Sequence, residues 1–78
     1  KTEHYADDGV RVIRLQNIQE NYFDDNDKAF ISSKYYQNEL VRYTVNPGDV
    51  LVAGLGDENI RAGRACITPN YLGKAINN

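Results

Sequence analysis

The segment GDVLVAGLGDENIRAGRACIT, from Gly48 to Thr68, decides the fold because it holds two apolar runs joined by a polar, glycine-containing connection. The first run, Val50 to Ala53, predicts a buried strand through its continuous apolar character. The second run, Arg64 to Thr68, predicts another strand. Before them, Asn46-Pro47-Gly48-Asp49 has proline and glycine at the positions that a type II turn requires.

The connection between these runs, residues 54–63, has two interpretations. A hairpin turn would place Asp57-Glu58-Asn59 at its tip, but hairpins need only about two to five loop residues, whereas this connection runs to about eight to ten. A ligand-facing loop is the alternative. A nucleotide-binding loop is excluded, because Asn59 stands where a third glycine is needed, two acidic residues would repel a pyrophosphate, and no Gly-Lys-Ser/Thr follows. No cofactor is expected.

The remaining segments predict one short helix and further strands. Val10 to Ile18 is rich in β-branched residues and predicts a strand, and residues 19–28 predict an acidic turn region. Ser32 or Ser33 then caps a helix from about Lys34 to Arg42. A Pro69-Asn70 turn precedes a last short strand, Lys74 to Ile76. This order predicts a small α+β domain with a mixed or antiparallel sheet.

Length and composition limit the chain to a single small domain. It has 78 residues, of which 41% are hydrophobic and 26% charged, values typical of a folded protein. No apolar run approaches the roughly 18 residues of a membrane span. A single cysteine, Cys66, gives no internal disulfide, so a cytoplasmic location is expected. The chain begins at Lys1 and ends at Asn78 after an apolar pair, and we interpret 1–78 as part of a larger domain.

The residues give no support for catalysis or for a metal site. His4 is the only histidine, and the sequence has no cluster of cysteines or histidines that could join it in a metal site. Cys66 lies in an apolar run and is interpreted as a buried, inert thiol. The carboxylates Asp24, Asp25 and Asp27 lack the glycine and glutamate of a calcium loop, so a solvated turn is expected.

DNA binding depends on the distribution of charge, because the net charge is −2 and the pI about 5.2. Basic residues flank the connection and occupy the first predicted strand, while acids concentrate at 7–8 and 24–27. The two charge signs are therefore predicted to lie on different faces, with asparagines available to bond adenine edges. The alternative is that the arginines are solvated or salt-bridged.

The ordered series of motifs resembles the target recognition domain of the specificity subunit of type I restriction-modification enzymes. The series consists of an entry strand with Arg14 and Asn17-Ile18, an acidic turn, an Ile-Ser pair before a helix, Pro47-Gly48-Asp49-Val50-Leu51, and a glycine-containing loop. The resemblance covers residues 9–77, about the first half of such a domain. The connection is longer than the short Gly-Thr/Ser-Ile-Gly segment of many members of the family.

The resemblance implies sequence-specific recognition of double-stranded DNA without catalysis. Methylase and motor subunits would be the partners, bound through regions outside these 78 residues. The residues expected to contact DNA are Arg14, Asn17, Asn59, Arg61, Arg64 and Lys74. The alternative is a structural or protein-interaction module that forms a homodimer through an open strand edge. A small-molecule enzyme is the weakest hypothesis, because neither a base nor a metal site is visible.

Overall fold

Short strands are the most frequent regular elements of the protein, which we describe from a computed structural model that covers residues 5–56 and 62–77. Within these residues there are nine strands in three small sheets, one short helical segment that contains the α-helical turn, and two separate 3-10 turns, which confirms the predicted small α+β class. The strands are β1 (Tyr5–Ala6), β2 (Val10–Ile13), β3 (Ile18–Gln19), β4 (Tyr22–Phe23), β5 (Ala29–Ile31), β6 (Thr44–Val45), β7 (Val50–Ala53), β8 (Arg64–Ile67) and β9 (Ala75–Asn77).

The largest sheet has five strands in the order β1-β5-β2-β9-β6. Strand β2 lies at its centre, antiparallel to β5 and parallel to β9, with Val12 opposite both Ala29 and Ile76. The outer strands β1 and β6 pair antiparallel with β5 and β9. The sheet is therefore mixed, and its parallel pair joins the beginning of the chain to its end.

Two antiparallel hairpins, β3–β4 and β7–β8, pack against each other beside this sheet. Asn21, in the turn between β3 and β4, adopts a positive φ of 69° and donates its N–H to the Ala65 carbonyl at 2.8 Å. Asparagine tolerates this left-handed conformation better than most residues. The bond ties the first hairpin to strand β8.

The apolar core consists of two clusters that meet at β2. Val10 and Val12 point to one side, where they pack with residues of β5, β9 and the helical segment, and Ile13 belongs to the other cluster, with Ile18, Leu51, Ala53, Cys66 and Ala75. Arg11, which belongs to neither cluster, is buried as well, so all four residues of β2 are buried. Burial raises the pKa of the Cys66 thiol, as expected for an inert cysteine.

The helical segment begins where the sequence predicts it. The Ser32 hydroxyl accepts a bond from the Tyr35 N–H at 3.1 Å, so Ser32 is the N-cap. One α-helical turn, α1 (Ser33–Tyr35), continues as a π-helical turn (Tyr36–Leu40) and a 3-10 turn (Val41–Tyr43). The predicted span, Lys34 to Arg42, is confirmed to within one residue, but its geometry is only partly α-helical.

Two predicted strands differ from the structure. The strand predicted over Val10 to Ile18 ends at Ile13, because the chain turns into a 3-10 helix (Leu15–Asn17) in which the Asn17 N–H bonds the Arg14 carbonyl at 2.9 Å. Strand β7 is present as predicted but is not fully buried. Val50 and Val52 are 63% and 56% exposed, because the β7–β8 hairpin is covered on one face only.

The predicted type II turn is confirmed by its glycine and its closing bond. Gly48 has φ 91°, and the Asp49 N–H donates to the Asn46 carbonyl at 3.0 Å. The second predicted turn, at Pro69-Asn70, opens a 3-10 helix (Asn70–Leu72) before β9. No helix in residues 5–56 and 62–77 combines the length and apolarity needed to cross a membrane.

Candidate nucleic-acid interface

The base of the β7–β8 hairpin is fixed by main-chain bonds at both ends. At one end the Thr68 N–H and hydroxyl both donate to the Asp49 carbonyl, each at 2.8 Å, and the Gly48 N–H donates to the Thr68 carbonyl at 3.0 Å. At the other end the Gly63 N–H donates to the Ala53 carbonyl at 2.7 Å, where the connection returns to β8. The two ends of the connection, at Ala53 and Gly63, are therefore held at defined positions.

Arg14 lies at the end of β2 and is held by Asp27. Its Nη2 and Nε donate to the two Asp27 carboxylate oxygens at 2.7 and 3.0 Å, a bidentate arrangement. Its side chain is 29% exposed. The hydrogen bonds from Arg14 hold the pKa of Asp27 below its usual value, although burial opposes them. The guanidinium is thus committed to an internal ion pair.

Asn17 is fully buried, and its side chain makes three hydrogen bonds to the main chain. Its Oδ1 accepts from the Arg14 N–H at 2.8 Å. Its Nδ2 donates to the Asp24 carbonyl at 2.9 Å and to the Asp27 carbonyl at 2.8 Å. The amide clamps the acidic turn against the end of β2 and is not presented to solvent in this conformation.

Arg64, the first residue of β8, is also buried and reaches back to the segment after β2. Its Nε donates to the Ile18 carbonyl at 2.7 Å, and its Nη2 donates to the Leu15 carbonyl at 3.1 Å. Arginine suits this position because its planar group can satisfy two carbonyls at once. Arg64 therefore links β8 to the segment that carries Asn17.

Arg11 lies in one polar cluster with Arg14, Asn17, Arg64 and the acidic turn. Arg11 was not among the predicted DNA contacts, whereas Arg14, Asn17 and Arg64 were. The buried Arg11 side chain bonds the Asp25 carboxylate and the Asp27 carbonyl, and its guanidinium lies 5.7 and 5.9 Å from the ring centres of Phe23 and Phe30. Burial, the largest single effect, acts to raise the pKa of Asp25. Hydrogen bonds from Arg11 and Lys28, with their charges, outweigh it, so this pKa lies below its usual value.

Charges of both signs are interleaved in this cluster, contrary to the prediction that they lie on different faces. The acidic turn is also more than a solvated loop, because Asp25 and Asp27 each pair with an arginine of the β2 segment. In the sequence, the similar spacing of Arg11 and Arg14 and of Asp25 and Asp27 was the available signal for these two ion pairs. It could not be used without knowing that the turn folds back on β2.

The other predicted residues lie away from the polar cluster or outside the described residues. Lys74 is exposed just before β9, with its ammonium 5.7 Å from the centre of the Tyr36 ring. Asn59 and Arg61 lie within residues 57–61, which are outside the described part of the chain. The structure thus brings Arg14, Asn17 and Arg64 together, and Lys74 is not part of that group.

The described residues form a scaffold held by internal hydrogen bonds and ion pairs. Within residues 5–56 and 62–77 no group of three or more histidine, cysteine or carboxylate side chains could hold a metal ion. Comparison with models of protein families finds no match to the chain, and a search of curated proteins finds no matching relative.

Proposed function

We propose that this chain is the first half of a DNA target recognition domain, in a specificity subunit of a type I restriction-modification enzyme, and that it has no catalytic activity of its own. The proposal is supported by the ordered motifs of the sequence and by the bonds between them. Asn17 holds the acidic turn, Arg64 holds the segment after β2, and Thr68 holds the Pro-Gly-Asp turn. The motifs therefore form one structural unit.

The observation that carries the proposal is the ten-residue connection at the end of the β7–β8 hairpin. Its base is closed by the Gly63 to Ala53 bond, so its length is not needed to join the strands. A two-stranded ribbon is one of the elements that fit into the major groove of DNA. The connection carries Asn59 and Arg61, whose side-chain chemistry suits adenine and guanine edges.

We propose a division of roles among the predicted residues. Asn59 and Arg61 contact bases or phosphates, and the exposed Lys74 contacts a phosphate. Arg14, Asn17 and Arg64 hold the scaffold, because their polar groups bond to neighbours within the chain. The few remaining cations and the net charge of −2 favour weak non-specific binding.

The partners follow from the proposed role. Double-stranded DNA is the ligand, and no cofactor is needed. Methylase and motor subunits would bind through parts of the subunit beyond these residues, in the cytoplasm.

Selection from a pool of random duplexes tests the function, using the intact specificity subunit at low salt. We expect enrichment of one short sequence. Arg61→Ala or Asn59→Ala should cost about 1 to 3 kcal/mol of binding free energy at one position of that sequence. Arg42→Ala is the matched control, since Arg42 is exposed and lies against Tyr43. Absence of any enriched sequence would exclude the function, and full specificity in both loop variants would exclude the proposed readers.

Lys74 gives a second test through the salt dependence of binding. A lysine on a phosphate releases about one counterion, so Lys74→Ala should reduce the slope of log K against log salt by about one. The same variant should leave the selected sequence unchanged. An unaltered slope would remove Lys74 from the interface.

A further inference from the structure

The outer edge of β7 is an open sheet edge formed by main-chain groups. The bond from the Thr68 N–H to the Asp49 carbonyl makes residues 49 and 68 a hydrogen-bonded pair in the register of the β7–β8 hairpin. Hydrogen-bonded pairs alternate along an antiparallel ladder, so the next are at Leu51 and Ala53. The N–H and C=O groups of Val50 and Val52 therefore point away from β8. No strand within residues 5–56 and 62–77 pairs with that side of β7.

This edge differs from the other sheet edges of the described structure. The outer strands of the five-stranded sheet, β1 and β6, have only two residues each. The outer side of β8 receives the Asn21 N–H. Strand β7 has four residues, Val-Leu-Val-Ala, with no charge, no proline and two half-exposed valines. Proteins protect exposed edges by short length, charge or cover. In the part of the chain that the structure describes, β7 is longer than β1 and β6, carries no charge and has no strand on its outer side.

We propose that the β7 edge is an interaction surface for a second copy of this chain, which adds its own β7 in antiparallel orientation. The register that suits this pairing is centred on Leu51, so that Val50 of one copy lies opposite Val52 of the other. The outward groups of the two valines then form four main-chain hydrogen bonds across the two-fold axis. Two valine pairs form on the exposed face, and such β-branched pairs stabilise sheets.

Charge favours the antiparallel orientation. Asp49 precedes β7, and a parallel pairing would place the two Asp49 carboxylates side by side. In the antiparallel register centred on Leu51 they lie at opposite ends, about 13 Å apart, beyond the screening length of about 8 Å at physiological salt. The interface is small, well under about 1,200 Å², so the dimer belongs to the weak, concentration-dependent class. The pairing requires no DNA and does not depend on the proposed function.

Sedimentation equilibrium of the 78-residue chain over a range of concentrations tests the proposal. The expected result is a mass that rises from 8.8 kDa towards twice that value. Val52→Lys should abolish the rise, since a lysine on an edge opposes strand addition. Ile67→Lys is the matched control, because Ile67 is 59% exposed on the same apolar face but belongs to β8. It should dimerise as the unaltered chain does.

Hydrogen exchange read by NMR gives the register. The Val50 and Val52 amides should be protected only at high concentration, whereas the Leu51 and Ala53 amides are protected at all concentrations. An unaltered chain that stays at 8.8 kDa, with unprotected Val50 and Val52 amides, would overturn the second copy as occupant. Equal loss of dimer in Val52→Lys and Ile67→Lys would contradict pairing through the β7 edge. The two copies would then be in contact through the exposed apolar face of the hairpin.

Discussion

At the scale of single residues, the polar cluster around Asn17 holds together segments that are far apart in sequence. The Asn17 side chain is fully buried and makes three hydrogen bonds, and Arg64 makes two more from β8. Buried polar groups stabilise a fold only while every partner is present, because an unpaired group retains its desolvation penalty. The residue types that suggested DNA contact from sequence are the same types that satisfy buried carbonyls.

Asn17→Ala should therefore lower the free energy of unfolding by about 2 to 4 kcal/mol, since it leaves the Asp24 carbonyl and the Arg14 N–H without their Asn17 partner. It also removes one of the two donors to the Asp27 carbonyl, the other being Arg11. Urea unfolding followed by circular dichroism measures the change. Asn38→Ala is the control, because Asn38 is exposed on the helical segment and should change stability by less than about 0.5 kcal/mol. Equal stability of both variants would contradict the conclusion that the Asn17 side chain holds the acidic turn against the end of β2.

The lowered pKa of Asp27 predicts how the stability of the fold depends on pH. Its pKa is lowered in the folded state by Arg14, so its contribution is complete above the unfolded pKa of about 4 and is lost as pH falls through the folded value. Asp27→Asn should cost about 1 kcal/mol at pH 7, a value reduced by solvent screening, and should flatten the decline in stability on acidification. The exposed Asp8→Asn is the control. A steeper acid decline in Asp27→Asn would contradict the ion pair.

At the scale of elements, the sequence predicted features set by local chemistry and missed those set by distant partners. The Ser32 cap and the Gly48 turn depend on adjacent residues and were predicted correctly. Strand β5, only Ala29–Ile31, was missed because its pairing with β2 and β1 lies outside its own sequence. The apolar run of β7 predicted full burial, since sequence alone does not show that only one face of the hairpin is covered.

Gly9 and Gly48 allow the cost of backbone strain to be compared with the cost of steric crowding. Both Gly9 and Gly48 have positive φ, 128° and 91°, but a Cβ on Gly9 would overlap the Ile31 carbonyl oxygen, whereas Gly48 faces open space. Gly48→Ala should cost about 1 kcal/mol through strain alone. Gly9→Ala should cost at least about 3 kcal/mol or prevent folding. Thermal unfolding of the two variants makes the comparison, and similar losses would contradict it.

At the scale of the whole molecule, the strand order could not be read from the sequence. Strand β9 pairs in parallel with β2, although more than sixty residues separate them in sequence. Both core clusters contain residues of β2. The α+β class followed from the mixture of elements, but the class does not specify which edges stay open. Of the candidate site, Arg14, Asn17 and Arg64 were predicted together with Asn59, Arg61 and Lys74 as DNA contacts, and their bonds to neighbours within the chain became visible only in three dimensions.

A chain of 78 residues has a thin margin of stability, since a fold of this size buries only about 60 to 65 per cent of the surface that its unfolded form exposes. A loss of DNA binding in a variant must therefore be separated from unfolding. Substitutions within residues 57–61 serve this purpose, because the hairpin base is fixed by bonds outside that segment.

The most direct measurement replaces residues 57–61, Asp-Glu-Asn-Ile-Arg, by five alternating glycines and serines in the proposed specificity subunit and repeats the selection from random duplexes. We predict an unchanged melting temperature with loss of the preference for the selected sequence. A replacement that folds equally well and still selects the same sequence would contradict the central claim that this connection reads DNA.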